Sequence, residues 1–205
     1  MILEAKNISF RYGKDTRQIL DHFSLQAKSH ERVGIVAPSG FGKTTFCKIL
    51  AGYERPDEGE VCLDGRPLSS YKGYCPVQMI WQHPEQAVNP RLRMRAVLAE
   101  GDEVEERIVR GLGIEEDWLN RYPAEISGGE MQRFCIARAL GKRTRFILAD
   151  EISTMLDLIT QSQIWNFLIK ETQNRGIGLL AVSHSMPLLE SVCTRICNLE
   201  KDKGL

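Results

Sequence analysis

The stretch "RVGIVAPSGFGKTTFCKILAGY" at residues 32–53 contains the strongest signal for the fold. Its apolar beginning predicts a short buried strand, and its second half, "TTFCKILAGY", predicts a helix. Between them lies a glycine-rich segment that ends in Gly42-Lys43-Thr44. A strand, a glycine loop and a helix in this order are the context that the phosphate-binding loop G-x-x-x-x-G-K-[ST] requires. The sequence therefore predicts an α/β fold with an anion-binding loop at the start of this helix.

Ala37 stands where that pattern has its first glycine. The amides that would bind phosphate belong to residues 40–45, and Pro38 favours extended backbone at the alanine before it. Alanine is tolerated at negative φ, whereas a left-handed backbone would cost about 1–2 kcal/mol. Gly40 and Gly42 remain, so the backbone can still approach the phosphates closely. We therefore expect a working loop.

Two later apolar runs, "RFILAD" at residues 145–150 and "GIGLLAVS" at residues 176–183, do not alternate with polar residues. A helical stretch separates them, and such runs predict parallel strands that are covered on both faces. The beginning of the chain alternates instead, which predicts antiparallel strands beside the core. We expect one domain over residues 1–205, with an antiparallel part at 1–30, a core at 31–82 and 146–205, and a charged, inserted helical lobe at 83–145.

The composition excludes several classes of protein. Basic and acidic residues both number 27, so no excess of positive charge predicts a nucleic-acid-binding surface. No apolar run approaches the roughly 20 residues of a membrane span, and the amino terminus has no signal-peptide pattern, which predicts a cytoplasmic chain. The six cysteines are scattered, and only Cys193 and Cys197 are close, at the spacing of one helical turn or its fraying end. This scattered pattern favours reduced thiols in the core over a metal site.

The segment "ISGGEMQRFCIARAL" at residues 126–140 predicts a second helix with an anion-binding start. Ser127, Gly128 and Gly129 would present free backbone N–H groups there. Alone, this pattern indicates an ordinary helix N-cap. Together with the glycine loop it makes the chain resemble the ATP-binding cassette (ABC) ATPases, whose signature is LSGGQ.

The resemblance spans essentially the whole chain, with the motifs in the family's order. It implies a RecA-like P-loop NTPase core with a mainly parallel sheet, an amino-terminal antiparallel β subdomain and an inserted α-helical subdomain. It also implies that ATP is bound by Tyr12, Ser39, Gly40, Phe41, Gly42, Lys43, Thr44 and Thr45. Tyr12 matches the aromatic residue that stacks on adenine, although alone it could equally be a strand tyrosine.

The resemblance also assigns catalytic roles. Gln82 matches the Q-loop glutamine, Asp150 and Glu151 match the Walker B pair, and His184 matches the switch histidine. Thr44, Gln82 and Asp150 would hold Mg²⁺, and Glu151 would polarise the attacking water. Lys43 and His184 would contact the phosphates. Alone, a strand-end acidic pair could be solvated charge, and a histidine after a buried strand is more often structural.

One chain does not complete its own site in this family. The resemblance implies that Ser127, Gly128, Gly129 and the D-loop aspartate, Asp157, meet ATP bound to a second ABC ATPase subunit, in a homodimer or a heterodimer. Glu130 and Ile126 replace the glutamine and leucine of the signature, and Ile152 replaces the proline common after the Walker B glutamate. Glu130 would bring a negative charge near the bound phosphate.

The segments "WQHPEQAVNPRLRM" at residues 81–94 and "RYPAEISGGEMQR" at 121–133 resemble the oligopeptide, dipeptide and nickel importer branch. This implies transmembrane permease subunits, an extracellular substrate-binding protein and a peripheral position on the cytoplasmic side of the membrane. Asn89-Pro90 could also simply start a helix. The alternatives are the ATPase of an ABC exporter and a soluble, non-transport ABC ATPase.

Overall fold

A computed structural model describes residues 1–13, 17–154 and 156–200 of the chain. Met155, in the predicted D-loop segment, and residues 201–205, at the end of the predicted core, lie outside the described residues. None of the described helices is both long and apolar enough to cross a membrane.

The centre of the molecule is a five-stranded sheet in the order β6-β7-β8-β3-β9, and every neighbouring pair is parallel. Its strands are β3 (Arg32–Val36), β6 (Val77–Ile80), β7 (Phe146–Asp150), β8 (Gly178–Val182) and β9 (Arg195–Asn198). All residues of β7 and β8 are buried. Successive side chains of these strands enter opposite apolar clusters, Leu148 into one and Ala149 into the other. Both faces are therefore covered, which confirms the predicted parallel sheet.

A second, antiparallel sheet has the order β2-β1-β4-β5. It consists of β1 (Ile2–Phe10), β2 (Leu20–Lys28), β4 (Glu58–Leu63) and β5 (Arg66–Pro67). Phe23 of this sheet contacts Phe46 of the first helix edge to face, with ring centroids 5.0 Å apart. The helix after the phosphate-binding loop therefore packs between the two sheets.

The antiparallel sheet extends beyond the predicted boundary at residue 30. Residues 58–67, which the sequence placed in the core, contain β4 and β5. Strand β4 pairs with β1 on the edge opposite β2, with Leu3 facing Leu63, and β5 pairs with β4. Three exposed residues followed by three buried ones make up β4, so this strand lacks the alternation that marks β1. The boundaries predicted at residues 82 and 145 stay predictions.

Six α-helices within the described residues complete the fold. They are α1 (Lys43–Leu50), α2 (Met94–Ala99), α3 (Glu106–Gly111), α4 (Gly128–Ala139), α5 (Leu158–Arg175) and α6 (Met186–Val192). The charged stretch in the predicted helical lobe thus forms two short helices, α2 and α3, separated by residues 100–105. Short 3₁₀ turns at 84–86, 116–120 and 123–125 join the helices of this lobe.

None of the six cysteines, all of which are described, forms a disulfide bond. A shared helical turn, one of the two arrangements predicted for Cys193 and Cys197, is wrong, because Cys193 is the C-cap at the end of α6 and Cys197 lies in β9. The chain changes from helix to strand within these five positions, so the two side chains do not share a helical turn.

Candidate functional site

The glycine loop connects the end of β3 to the start of α1, as predicted. Gly42 precedes the helix with a left-handed backbone, φ +92°. A Cβ atom at this position would lie 2.4 Å from Cγ2 of Ile19, so both the backbone and the space require glycine. Within the loop, the Phe41 N–H donates to the Pro38 carbonyl oxygen at 3.2 Å. The N–H groups of the first turn of α1, at residues 43–45, have no partner within the helix and can face an anion.

Lys43 is the first residue of α1 and is 6% exposed. Its Nζ donates hydrogen bonds to the carbonyl oxygens of Ala37 and Pro38, at 2.9 and 3.1 Å. The ammonium group thus contacts the backbone of the loop in which it is predicted to bind phosphate. Ala37 is not among the described residues with positive φ, so replacing the first glycine costs no left-handed strain.

Asp150 ends the buried strand β7 and is 1% exposed. Burial raises the pKa of its carboxyl above the ordinary value, against the lowering effect of a hydrogen bond from the side chain of Thr44. Its Oδ1 atom is buried and has no hydrogen-bond partner among the described residues. A desolvated carboxylate oxygen beside a hydroxyl is a donor set that suits a hard divalent cation.

Glu151 follows Asp150 directly and contacts two other predicted site residues, His184 and Gln82. Its Oε1 lies 2.8 Å from Nε2 of His184, and its Oε2 accepts a hydrogen bond of 3.4 Å from Nε2 of Gln82. The Glu151 backbone is left-handed, with φ +49°, which is rare for a residue with a Cβ atom. This strained turn directs the carboxylate across the ends of β6 and β8.

Tyr12 lies beside the loop, where its hydroxyl is 3.1 Å from Oγ1 of Thr45. Its ring contacts Phe10 edge to face, with centroids 4.9 Å apart, and the side of the ring away from this contact is open because Tyr12 is 55% exposed. The ring is therefore free to contact a planar ligand group near the loop.

The start of α4 lies at the surface. Ser127 is the N-cap of this helix and forms a capping box with Glu130, in which the Ser127 N–H donates to Glu130 Oε2 at 2.6 Å. Ser127 and Gly128 are exposed, and Gly129 is half-buried. Their hydrogen bonds stay within the helix start, so this segment does not join the cluster around Glu151.

Asp157 is the N-cap of α5 and accepts hydrogen bonds of 3.0 Å from the backbone N–H groups of Ile159 and Thr160. Hydrogen bonds from Thr160, through its side chain and its backbone, lower the pKa of this carboxyl. The next two side chains, Leu158 and Ile159, are 82% and 73% exposed. Exposed apolar side chains are typical of a surface that contacts another protein. This pair lies beside Asp157, which is predicted to meet the ATP of a second subunit, and the sequence pattern alone did not reveal it.

Gln132, on α4, was not among the predicted site residues. It is 1% exposed, and its Nε2 donates a hydrogen bond of 3.3 Å to the carbonyl oxygen of Trp81, the residue before Gln82. A glutamine between the buried Met131 and Phe134 is the sequence signal that could have identified it.

Comparisons with known proteins agree with this geometry. Residues 20–154 match the family model described as ABC transporter. The oligopeptide transport ATP-binding protein OppF of Streptococcus mutans is 32% identical over 217 residues, 95% of this chain and 70% of that protein. The nickel import ATP-binding protein NikE of Escherichia coli K12 is 32% identical over 220 residues, 95% of this chain and 82% of that protein.

Solved structures are similar over nearly the whole fold. A dimeric structure of the ATP-binding cassette MJ0796, bound to ADP and Pi in a post-hydrolysis state, has a TM-score of 0.80 at 26% identity. The match covers 96% of this chain and 93% of that one. These findings confirm the predicted fold class and the predicted resemblance to the peptide and nickel importer ATPases. This chain belongs to the ABC transporter family, as an ATP-hydrolysing, ATP-binding subunit.

Proposed function

We propose that this chain hydrolyses Mg·ATP at a site completed by a second cassette, and thereby drives import of small peptides, nickel or a metal chelate. The observation that carries the proposal is the position of Glu151, whose carboxylate contacts His184 and Gln82 next to the buried carboxylate of Asp150. An acidic group that is held in this way beside a phosphate-binding loop suits phosphoryl transfer to water.

The loop residues bind the phosphates. The backbone N–H groups of residues 40–45 and the positive end of α1 attract the negative charge. Lys43 exchanges its two carbonyl partners for phosphate oxygens, since an ammonium group binds charged oxygens more strongly than neutral ones. Tyr12 contacts the adenine with the open side of its ring.

Thr44, Gln82 and Asp150 hold Mg²⁺ in this proposal. The buried Oδ1 atom of Asp150 lacks a partner, and the Thr44 side chain is bonded to the same carboxylate. When bound, the ion neutralises charge on the phosphate oxygens. The burial that raises the pKa of Asp150 is then offset by the cation.

Glu151 polarises the attacking water and accepts its proton at a carboxylate oxygen. His184 fixes the other oxygen and reaches the γ-phosphate from the end of β8. Gln82, in the segment that follows β6, contacts the attacking water. The Glu151 carboxylate already lies 2.8 Å from His184 and 3.4 Å from Gln82, so these side chains need little rearrangement before the reaction.

A second cassette supplies Ser127, Gly128, Gly129 and Asp157 to the ATP of this chain, and this chain does the same in return. Exposure of Ser127 and Gly128 and of the apolar pair Leu158 and Ile159 supports this arrangement. The γ-phosphate stabilises the closed dimer because it contacts both subunits, and its hydrolysis releases them.

The transport role requires transmembrane permease subunits, which place this chain on the cytoplasmic side of the membrane, and an extracellular substrate-binding protein. OppF and NikE are named as transport and import ATP-binding proteins, which favours import. A polar cleft of about 550 Å³ beside the Q-loop segment is a suitable permease contact. Its lining includes Tyr53, Gln78, Glu100 and Arg138, from both the core and the helical lobe.

Replacing Glu151 with glutamine tests this proposal. Glu151→Gln keeps the side-chain shape but cannot accept the proton, so we expect turnover to fall at least about 10²-fold. Mg·ATP should then convert the variant into a stable dimer, measured by light scattering during size-exclusion chromatography. Glu116→Gln, at an exposed position, is the matched control and should hydrolyse ATP like the parent. A Glu151→Gln variant that stays monomeric with Mg·ATP contradicts the shared site.

A further inference from the structure

Gln132 is an amide side chain in an otherwise apolar environment. It lies on α4, one turn after the exposed start of this helix at residues 127–129, and it is 1% exposed. Its Nε2 donates to the Trp81 carbonyl oxygen at 3.3 Å. Its Oε1 is buried without a hydrogen-bond partner among the described residues.

Stability alone does not explain a glutamine at this position. An unpaired, buried amide oxygen costs free energy, because it loses its hydrogen bonds to water and gains none in return. Methionine has nearly the same length and volume and would fill the space without that cost. What methionine cannot do is donate a hydrogen bond to Trp81.

Trp81 is held from two sides. Its ring contacts Tyr53 at a centroid distance of 5.3 Å and lies under the Lys48 ammonium at 5.2 Å, so the end of α1 fixes the side chain. Gln132 fixes its carbonyl from α4. Trp81 is followed directly by Gln82, whose amide donates to the Glu151 carboxylate at 3.4 Å. A displacement of α4 is therefore transmitted to Gln82 through a single backbone step.

We propose that Gln132 is a positioning residue that links the signature end of α4 to Gln82. Through the hydrogen bond to Trp81, the start of α4 and the Gln82 backbone move together. Closure of residues 127–129 on the ATP of a second cassette then adjusts the distance between the Gln82 amide and Glu151. This inference rests on the proposed function, because it assumes that residues 127–129 bind ATP in trans and that Gln82 acts at the γ-phosphate.

Gln132→Met removes the donor while keeping the volume. We expect kcat for ATP hydrolysis to fall about tenfold, as for loss of one oriented hydrogen bond near the transition state, with KM for ATP unchanged. The melting temperature should change little, since removal of the unpaired Oε1 offsets the loss of the hydrogen bond to the Trp81 carbonyl oxygen. A purely structural role for Gln132 would give the opposite result, a lower melting temperature and an unchanged kcat.

The matched control is Thr144→Val. Thr144 is fully buried, and its hydroxyl donates to the Ala139 carbonyl oxygen at the other end of α4, at 2.7 Å. This variant loses that hydrogen bond to α4 and the one between Thr144 and the Tyr74 hydroxyl, at 2.7 Å, but it does not touch Trp81. It should lower the melting temperature and leave kcat within about twofold of the parent.

Amide hydrogen exchange measures the link directly, with each variant combined with Glu151→Gln to retain ATP. With Mg·ATP, peptides that cover residues 127–131 and 80–84 should both exchange more slowly than without nucleotide. In Gln132→Met, slowing at 127–131 should remain and slowing at 80–84 should be lost. Equal slowing of both peptides in Gln132→Met, or a kcat within twofold of the parent, overturns the inference alone. No slowing of either peptide in the Glu151→Gln parent overturns the proposed function, and this inference with it.

Discussion

His184 Nε2 lies 2.8 Å from Glu151 Oε1, so the loop after β8 directly contacts the residue that ends β7. The Glu151 side chain is 11% exposed, whereas that of His184 is 53% exposed. The carboxylate is therefore held by a group that still has an open side toward a ligand. This arrangement suits a histidine that orients the base and senses the γ-phosphate.

His184→Ala should reduce ATP turnover about 10- to 100-fold while leaving ATP binding within a few-fold of the parent, because it removes a positioned contact in the transition state. The measurement is phosphate release at saturating Mg·ATP, together with the Kd for a fluorescent ATP analogue. His30→Ala, in the exposed turn after β2, is the control and should behave like the parent. Parental turnover in His184→Ala would show that the contact with Glu151 has no catalytic role.

Lys43→Ala should abolish measurable binding of Mg·ATP, since the loop loses the ammonium charge that we propose binds the β and γ phosphates. Ala37→Gly should bind ATP within about twofold of the parent, because Ala37 has an ordinary backbone conformation and gains nothing from glycine. Isothermal titration with Mg·ATP measures both. Lys170→Ala, exposed on α5, controls for loss of a positive charge. Much tighter binding by Ala37→Gly would mean that the alanine distorts the loop.

Glu130→Gln should increase turnover several-fold at low salt. The Glu130 carboxylate accepts the Ser127 N–H, so it holds negative charge at the helix start that would meet the phosphate of a second cassette. Glutamine can accept the same hydrogen bond without the charge. Because salt screens this repulsion, the ratio of variant to parent turnover should approach one as ionic strength rises.

Glu125→Gln is a matched control for Glu130→Gln, since Glu125 forms the same capping box with the Tyr122 N–H one short turn earlier in the chain. It should leave turnover unchanged at all salt concentrations. A salt-independent increase in Glu130→Gln, or no increase at low salt, would exclude electrostatic repulsion as the effect of Glu130.

Glu171→Gln should lower the free energy of unfolding by about 2 kcal/mol, because the buried Glu171 loses the charge that pairs it with Arg107, whose own side chain is half exposed. The Glu171 side chain on α5 is 4% exposed and accepts two hydrogen bonds from Arg107 on α3, at 2.7 and 2.8 Å. It also lies 3.6 Å from Arg175. Urea unfolding measures the loss, and a double-mutant cycle with Arg107→Met isolates the link between the helical lobe and α5.

The exposed pair of Glu106 and Arg110 is the control for this ion pair. Both side chains are 76% exposed, so Glu106→Gln should change the free energy of unfolding by less than about 0.5 kcal/mol. Equal effects of the two substitutions would mean that burial adds nothing to the contact of Glu171.

Cys135 should resist alkylation in the folded chain. Burial raises the pKa of its thiol to about 11, so the reactive thiolate is about 100-fold rarer at pH 8 than in a thiol of ordinary pKa. Iodoacetamide labelling of Cys135, followed by mass spectrometry, should be at least that much slower in the native chain than in urea. The native rate should rise with pH up to about 11. Fast native labelling at pH 8 would show that α4 opens toward solvent.

Much of this fold could be predicted from local patterns, whereas most of the site residues were assigned by resemblance to the ABC ATPases. The glycine loop lies between β3 and α1 because its spacing leaves no other arrangement for the flanking apolar segments, and the apolar runs at β7 and β8 follow from burial on both faces. The pairing of β4 with β1 could not be predicted, since its burial does not alternate. The role of Gln132 depends on a contact with Trp81, 51 positions earlier in the chain, which no local pattern contains.

The two hydrogen bonds from Lys43 to the carbonyl oxygens of Ala37 and Pro38 have a kinetic consequence. They fix the conformation of the phosphate-binding loop within the folded chain, so the entropy of ordering the loop is lost on folding and not on binding. ATP capture should therefore be limited by diffusion and by the swap of two carbonyl contacts, and not by a slow search of the loop for its bound shape.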